Sequence, residues 1–154
     1  MKFLRTTDWE AIKKIVTHPS VYSKVTDDFS PSPVDWEPVK DEMIWYVLAL
    51  EDAQVLGLLM FWPDNPVCWK VHMCMLPCAY GDMARVATRG AIEWIFAQTS
   101  CRRVVGELPA DNKLALRLAL NIGMEEYGCN PRSFLKGGRL LDTVLVGISK
   151  AGVN

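Results

Sequence analysis

Three apolar runs rich in Val, Leu, Trp and Tyr occupy the middle of the chain. They are Met43–Leu50, Val55–Trp62 and Val67–Met75, and short turn-like segments separate them. This pattern predicts three strands of an antiparallel meander. The preceding segment, Val21–Lys40, is polar and interrupted by prolines, so we expect a loop that leaves room for one short helix.

Helical spacing of apolar residues predicts a first and a longer second helix. Thr7 and Glu10 form a capping-box pattern that opens the first helix, which ends near Pro19. The second helix covers Asp82–Thr99 and begins at Gly81 or Asp82. The change from strand to helical period after the meander indicates a βα unit and therefore a parallel strand pairing.

The last third of the chain continues this strand and helix order. Arg103–Leu108 is predicted as a strand, and Asp111–Asn112 caps a third helix that stops at Gly123. Met124–Gly128 and Arg139–Ser149 are predicted as a closing strand pair. The sequence therefore predicts an α+β fold with a mixed, mostly antiparallel sheet flanked by helices.

Length and composition predict one soluble domain covering residues 1–154. The chain is 50% hydrophobic and 23% charged, which is typical of a globular protein. No apolar run approaches the roughly 20 residues of a membrane span, and the first residues are too polar for a signal peptide. We therefore expect a cytoplasmic protein that does not interact with a membrane and whose five cysteines are reduced.

The net charge of −1 is unevenly distributed. Residues 1–77 contain seven Lys or Arg and eleven Asp or Glu, whereas residues 78–154 contain ten and seven. A nearly neutral total argues against nucleic-acid binding, which depends on a basic surface. The acidic half could attract a cationic ligand and the basic half an anionic one, or the asymmetry could be incidental surface charge.

Several residues after the meander carry a resemblance to a known family. Leu76-Pro77 precedes Gly81 and the long helix, and Asn112 opens a later helix that closes on Leu118 and Gly123-Met124. Gly128, Gly138-Arg139 and Asp142 follow in order. This arrangement resembles the GCN5-related N-acetyltransferases over nearly the whole chain, and it is most similar to the branch that acetylates the N-termini of ribosomal proteins.

The resemblance implies acetyl-CoA as cofactor and an amine as acceptor. The cofactor arm is expected to pair with the backbone of Met73, Cys74, Met75 and Leu76 like an added strand, and Asn112 is expected to contact the arm, or simply to cap its helix. The diphosphate is expected at the start of the long helix, on Ala79, Tyr80, Gly81, Asp82, Met83, Ala84 and Arg85.

Two departures from the family pattern concern this cofactor site. The loop keeps one glycine, places Tyr80 where relatives usually have a basic residue, and adds Asp82, whose charge repels a diphosphate. Ala115 and Ala119 stand where many relatives carry a Tyr or Ser that protonates the departing thiolate. Neither alanine can donate a proton, although a backbone N–H could still polarise the thioester carbonyl.

Two residues are candidates for the general base. His72 lies on the third meander strand, where relatives often hold a carboxylate, and its usual pKa suits proton transfer at neutral pH. Glu107, at the end of the next strand, is the alternative. His72 could instead be an ordinary strand histidine, and Glu107 an ordinary solvated carboxylate.

A metal site is not expected, although Cys68, His72, Cys74 and Cys78 crowd one stretch. Cys68 and His72 are four residues apart on a strand, about 13 Å, which is too far for one tetrahedral zinc ion. An acyl-cysteine at Cys74 stays open as an alternative, but no His–Asp relay to activate it is evident.

The sequence leaves two functions in view. The first is an N-acetyltransferase that transfers acetyl directly from acetyl-CoA to a protein N-terminus or a small cationic amine. The second is a catalytically degenerate module of the same fold that recognises a protein partner. Such divergent members resemble those carried by bacteriophages and prophages. Either protein could be a homodimer.

Overall fold

A computed structural model describes residues 1–152. Within these residues the chain forms seven strands and four α-helices. In chain order they are β1 (Lys2–Arg5), α1 (Trp9–Val16), α2 (Pro19–Val25), β2 (Trp45–Glu51), β3 (Gln54–Asn65), β4 (Cys68–Met75), α3 (Asp82–Gln98), β5 (Arg103–Pro109), α4 (Lys113–Asn121), β6 (Glu125–Lys136) and β7 (Arg139–Ser149). A short 3₁₀ turn at Pro77–Ala79 joins β4 to α3.

All seven strands belong to one sheet with the order β1-β2-β3-β4-β5-β7-β6. Strands β2, β3 and β4 form the predicted meander, and β5, β6 and β7 pair antiparallel at the other end. The pair β4 and β5 is parallel, since α3 carries the chain back between them. The predicted α+β class with a mostly antiparallel sheet is confirmed.

Helices cover both faces of the sheet and bury one cluster on each. Helices α3 and α4 pack on one face, where Ile92 and Ile95 of α3 are fully buried against the strands. Helices α1 and α2 pack on the other face, where Ile12 contacts a cluster that includes Tyr46 and Leu58. Burial of these apolar side chains on two sides fixes the sheet between the helices.

The parallel pairing of β4 and β5 is short. It joins only Cys68–Lys70 to Arg103–Val105, although β4 continues to Met75 and β5 to Pro109. Beyond Lys70 the two strands separate, and the remaining edge of β4 has no strand partner among residues 1–152. The sheet is therefore split at its centre.

The structure corrects the predicted start of the chain. Asp8, not Thr7, caps α1, because the Asp8 carboxylate accepts a hydrogen bond from the Ala11 N–H at 3.0 Å. Strand β1 was not predicted, since its four residues follow no clear period and three of them are exposed. Pro19 begins a helix instead of merely following one, because proline suits the first helical turn.

The final strand pair also differs from its prediction. Strand β6 extends to Lys136, well past the predicted end at Gly128. Its residues are mostly exposed, so they lack the alternating apolar pattern that marks a half-buried strand. A register shift between Asn130 and Phe134 interrupts its pairing with β7. Strand β7 begins and ends at the predicted residues.

Candidate functional site

A cavity of about 980 Å³ occupies the split between β4 and β5. Its walls come from both faces of the sheet. Ala84 and Leu118 belong to the helices of one face, whereas Val21 and Val25 belong to α2 on the other. Trp62 and Phe134 add aromatic side chains to the apolar part of the lining. The cavity therefore reaches both faces of the sheet between β4 and β5.

The free edge of β4 presents backbone groups to this cavity. The Val71 carbonyl oxygen points toward β5, since it lies 4.0 Å from where a Cβ on Gly106 would be. The Cys74 carbonyl points the other way, toward Gly57 of β3. Because the direction alternates along an antiparallel strand, the N–H and C=O of Met73 face the split. They can bind an extended polar ligand.

His72 lines the cavity from β4. Its side chain shares a face of the sheet with Cys74, which packs in the cluster beneath α1 and α2. Burial lowers the pKa of His72 below its usual value because the imidazolium loses contact with water. This shift favours the neutral imidazole, which can accept a proton.

Glu107 also lines the cavity, but it already has a cationic partner. Its carboxylate lies 3.2 Å from the Lys70 ammonium, and Asp64 lies 3.8 Å from the same nitrogen. The hydrogen bond to Glu107 raises the pKa of Lys70, with smaller contributions from the charges of Glu107 and Asp64. This ion pair crosses the gap directly after the last paired residues of β4 and β5.

The start of α3 forms one end of the cavity. Gly81 adopts a φ of 89°, which favours glycine, and apart from Gly81 and its two chain neighbours no described residue has an atom within 4 Å of where its Cβ would be. No side chain caps the first turn of α3. The negative charge of Asp82, which is expected to repel a diphosphate, is paired within α3, since Arg85 Nε lies 3.4 Å from the Asp82 carboxylate.

Tyr80 connects this loop to α2. The Lys24 ammonium donates a hydrogen bond to the Tyr80 hydroxyl at 3.2 Å and lies 5.0 Å from the centre of its ring. The Tyr80 hydroxyl in turn donates to the Ser20 carbonyl at 3.4 Å. The Lys24 ammonium of α2 therefore lies beside Tyr80, a position at which the loop itself has no cationic residue.

The loop after α2 is fastened to the turn between β6 and β7. The Asp28 carboxylate accepts hydrogen bonds of 2.7 Å from the N–H groups of both Gly137 and Gly138. These bonds lower the pKa of Asp28. Lys136 in the same hairpin donates to the Ser23 and Thr26 carbonyls. Together these contacts join α2 and the loop after it to the β6–β7 hairpin, and we call them the Asp28 bridge.

Comparison with solved structures identifies this architecture. Superposition on spermidine N-acetyltransferase from Vibrio cholerae, in complex with CoA and spermine, gives a TM-score of 0.80 at 16% identity and covers 97% of this chain and 95% of that one. The chain has the fold of the GCN5-related N-acetyltransferases. The resemblance to this fold that the sequence carries is therefore confirmed.

Two further structures share this acetyltransferase fold. Ribosomal-protein-alanine N-acetyltransferase from Brucella melitensis matches with a TM-score of 0.68 at 17% identity, covering 97% of this chain and 100% of that one. Ribosomal-protein-S5-alanine acetyltransferase from Vibrio fischeri matches with a TM-score of 0.74 at 13% identity, covering 99% and 93%. No protein-family model and no curated protein sequence matches this chain.

The structure places the other predicted site residues in different surroundings. Asn112 lines the cavity, and its side-chain oxygen caps α4 by accepting from the Ala115 N–H at 3.2 Å. Ala115 also lines the cavity, whereas Ala119 is fully buried in the core. Arg89 Nε lies 2.7 Å from the Glu93 carboxylate, an i, i+4 pair on the surface of α3.

Cys74 is poorly suited to form an acyl-cysteine. Cys74 is buried, and desolvation raises its pKa to about 12, so its thiol is protonated at neutral pH and is a poor nucleophile. Among residues 1–152, no three His, Cys, Asp or Glu side chains are grouped closely enough to hold a metal ion. No helix of the described residues is long and apolar enough to cross a membrane.

Three features of the site have no signal in the sequence. Lys24 and Tyr80 are 56 positions apart, and Asp28 lies 109 positions from Gly137, so only the folded chain brings each pair together. Lys70 shares a strand face with His72, but nothing in the sequence indicates that β5 would place Glu107 beside Lys70. Contacts between distant segments depend on topology, which local patterns do not specify.

Proposed function

We propose that this protein is an N-acetyltransferase that transfers acetyl from acetyl-CoA directly to an amine, either a protein N-terminus or a small cationic amine, in a ternary complex. The observation that carries this proposal is the cavity through the split sheet, because two ligands entering from opposite faces would meet between β4 and β5. The fold, shared with acetyltransferases of both polyamines and ribosomal proteins, supports it.

The residues present fit the donor. The free edge of β4 offers the backbone groups of Met73 to an extended, amide-containing arm in the manner of an added strand. At the end of β4, the space beside Gly81 and the uncapped start of α3 suit an anionic diphosphate. Acetyl-CoA would supply an acetyl group activated as a thioester.

His72 is the proposed general base. The acceptor amine must lose a proton to attack the thioester carbon, and the neutral imidazole of His72 can take it. Glu107 is less suited to this role because its carboxylate is already paired with Lys70. A backbone N–H on the free edge of β4 can stabilise the negative charge that develops on the carbonyl oxygen. As the new C–N bond forms, the C–S bond breaks and CoA leaves as the thiolate, which would take its proton from water because Ala115 and Ala119 stand at the positions of the usual acid.

Calorimetric titration with acetyl-CoA, with desulfo-CoA as a control, tests the proposal first. We expect micromolar binding, followed by acetylation of amines or peptide N-termini detected by mass spectrometry. His72→Gln should lower kcat by about 10²–10⁴-fold, the range for loss of a general base, and leave the Kd of acetyl-CoA unchanged. Glu107→Gln serves as the matched variant on the facing strand and should have the smaller effect.

A binding module without catalysis is the second candidate. The alanines at positions 115 and 119 and the Asp82–Arg85 ion pair in the loop favour it, since they remove an acid and neutralise a loop cation. Absence of binding at millimolar acetyl-CoA would contradict the acetyltransferase proposal and favour this candidate. A thermal shift with acetyl-CoA separates the two candidates independently, because only a protein that binds the ligand is stabilised by it.

A further inference from the structure

We propose that Lys24 of α2 binds the diphosphate of the donor and thereby supplies the positive charge that the loop before α3 lacks. This inference rests on the proposed function, since acetyl-CoA is the ligand that carries the diphosphate. Lys24 belongs to α2, which packs on the sheet face opposite α3. The inference therefore gives a binding role to a residue outside both the loop and α3.

The loop needs such a cation because its own charges cancel. Asp82 carries a negative charge at the start of α3, and Arg85, one turn later, lies 3.4 Å from it. The Asp82 carboxylate would repel an anionic ligand at this loop. A further cation close to the loop would offset that repulsion. Among the other cationic residues lining the cavity, Lys70 is held by Glu107 across the gap and Arg117 lies on α4, whereas the Lys24 ammonium contacts Tyr80 of the loop itself.

Lys24 is held at the loop in an oriented way. Its ammonium contacts the Tyr80 hydroxyl at 3.2 Å and lies 5.0 Å from the ring centre, so Tyr80 positions the charge directly before Gly81. An ammonium has three donors, and the Tyr80 hydroxyl uses one. The remaining donors are suited to phosphate oxygens.

The other side of α2 is fixed as well. Lys136 of the β6–β7 hairpin donates hydrogen bonds to the Ser23 and Thr26 carbonyls, which flank Lys24 in the sequence. The backbone around Lys24 is therefore tied to the Asp28 bridge while its side chain reaches Tyr80. Such preorganisation lowers the entropic cost of binding an anion at this position.

Lys24→Met tests the inference, since methionine keeps much of the side-chain length and removes the charge. Lys14→Met, at an exposed lysine of α1 outside the cavity, is the matched control. Binding of CoA and of pantetheine, which lacks the diphosphate, is measured by calorimetry for each protein. We expect Lys24→Met to raise the Kd of CoA about tenfold, the size expected for one charge-assisted hydrogen bond, and to leave that of pantetheine unchanged.

Two further measurements make the assignment specific. Lys24→Arg should restore most of the CoA affinity, because it returns the charge at the same place. The salt dependence of CoA binding should weaken in Lys24→Met but not in Lys14→Met. Melting temperatures of all variants verify that each protein is folded.

Each outcome has a distinct meaning. If the unaltered protein binds CoA and Lys24→Met binds it equally well, the inference is wrong and the proposed function stands. If Lys24→Met weakens CoA and pantetheine by the same factor, Lys24 acts on the shape of the cavity, and the inference is again wrong. If the unaltered protein fails to bind CoA, the proposed function and this inference both fall.

Discussion

Gly57 on β3 offers a sharp test of how the end of β4 is positioned. A Cβ built on Gly57 would lie 2.6 Å from the Cys74 carbonyl oxygen and 2.9 Å from the Met75 Cα. Ordinary contacts begin at about 3.4 Å. Gly57→Ala therefore requires a displacement of about 0.8 Å, and because both clashing atoms are backbone, β4 itself must move.

We expect this displacement to cost about 1–3 kcal/mol, the usual range for overpacking a well-filled interior. A domain of this size loses roughly 3 °C of Tm for each kcal/mol, so Tm should fall by about 3–9 °C. Since Met75 lines the cavity, the Kd of acetyl-CoA should rise in the same variant. Thermal unfolding followed by circular dichroism, with calorimetric titration, measures both effects.

Gly106 on β5 provides the control on the other side of the split. A Cβ there would lie 3.4 Å from a methyl group of Val146, which is an ordinary contact with a side chain. Gly106→Ala should keep Tm within about 2 °C of the parent, aided by the lower chain entropy of alanine in the unfolded state. Equal melting temperatures for Gly57→Ala and Gly106→Ala would refute the reasoning, because then β4 would not be constrained by β3 at this point.

Two further predictions concern the bridge and the helices. The bonds from the β6–β7 turn lower the pKa of Asp28, so the stability contributed by its carboxylate is present at neutral pH and is lost as pH falls below 3.8. The amide proton shifts of the turn glycines should titrate with a midpoint below that value, and a midpoint above it would contradict the assignment. Arg89→Met should lower the free energy of unfolding, measured by urea denaturation, by about 1–2 kcal/mol. Arg89 also donates a hydrogen bond of 2.8 Å to the Ile122 carbonyl at the end of α4, and the substitution removes it. Glu93→Gln, which removes only the ion pair, should cost less than about 0.5 kcal/mol.

Much of the fold could be predicted from local patterns. The meander, the helix from Asp82, the cap at Asn112 and the bounds of β7 all follow from apolar periodicity and from turn or capping residues. The predictions failed where the local signal was weak or shared between residues. Strand β6 is mostly exposed and β1 is short, and Asp8 took the capping role from Thr7.

The candidate site was predictable only in part. His72 and Glu107 could be named because the family resemblance implies a base on these strands and both residue types can take a proton, and both line the cavity. Their different surroundings were not predictable. Burial lowers the pKa of His72, whereas Glu107 forms an ion pair with Lys70. Both effects depend on residues that are distant in the sequence.

The sequence by itself determined the order of most elements, the α+β class and the set of residues available for chemistry, because periodicity, caps and turns act over a few positions. Only the tertiary structure decided where β4 and β5 separate, that Lys24 stands beside Tyr80, and that Asp28 fastens a loop to a distant hairpin. The physical reason is that these contacts join segments up to 110 positions apart. Their formation depends on how the whole sheet and its helices pack, and no short stretch of residues encodes it.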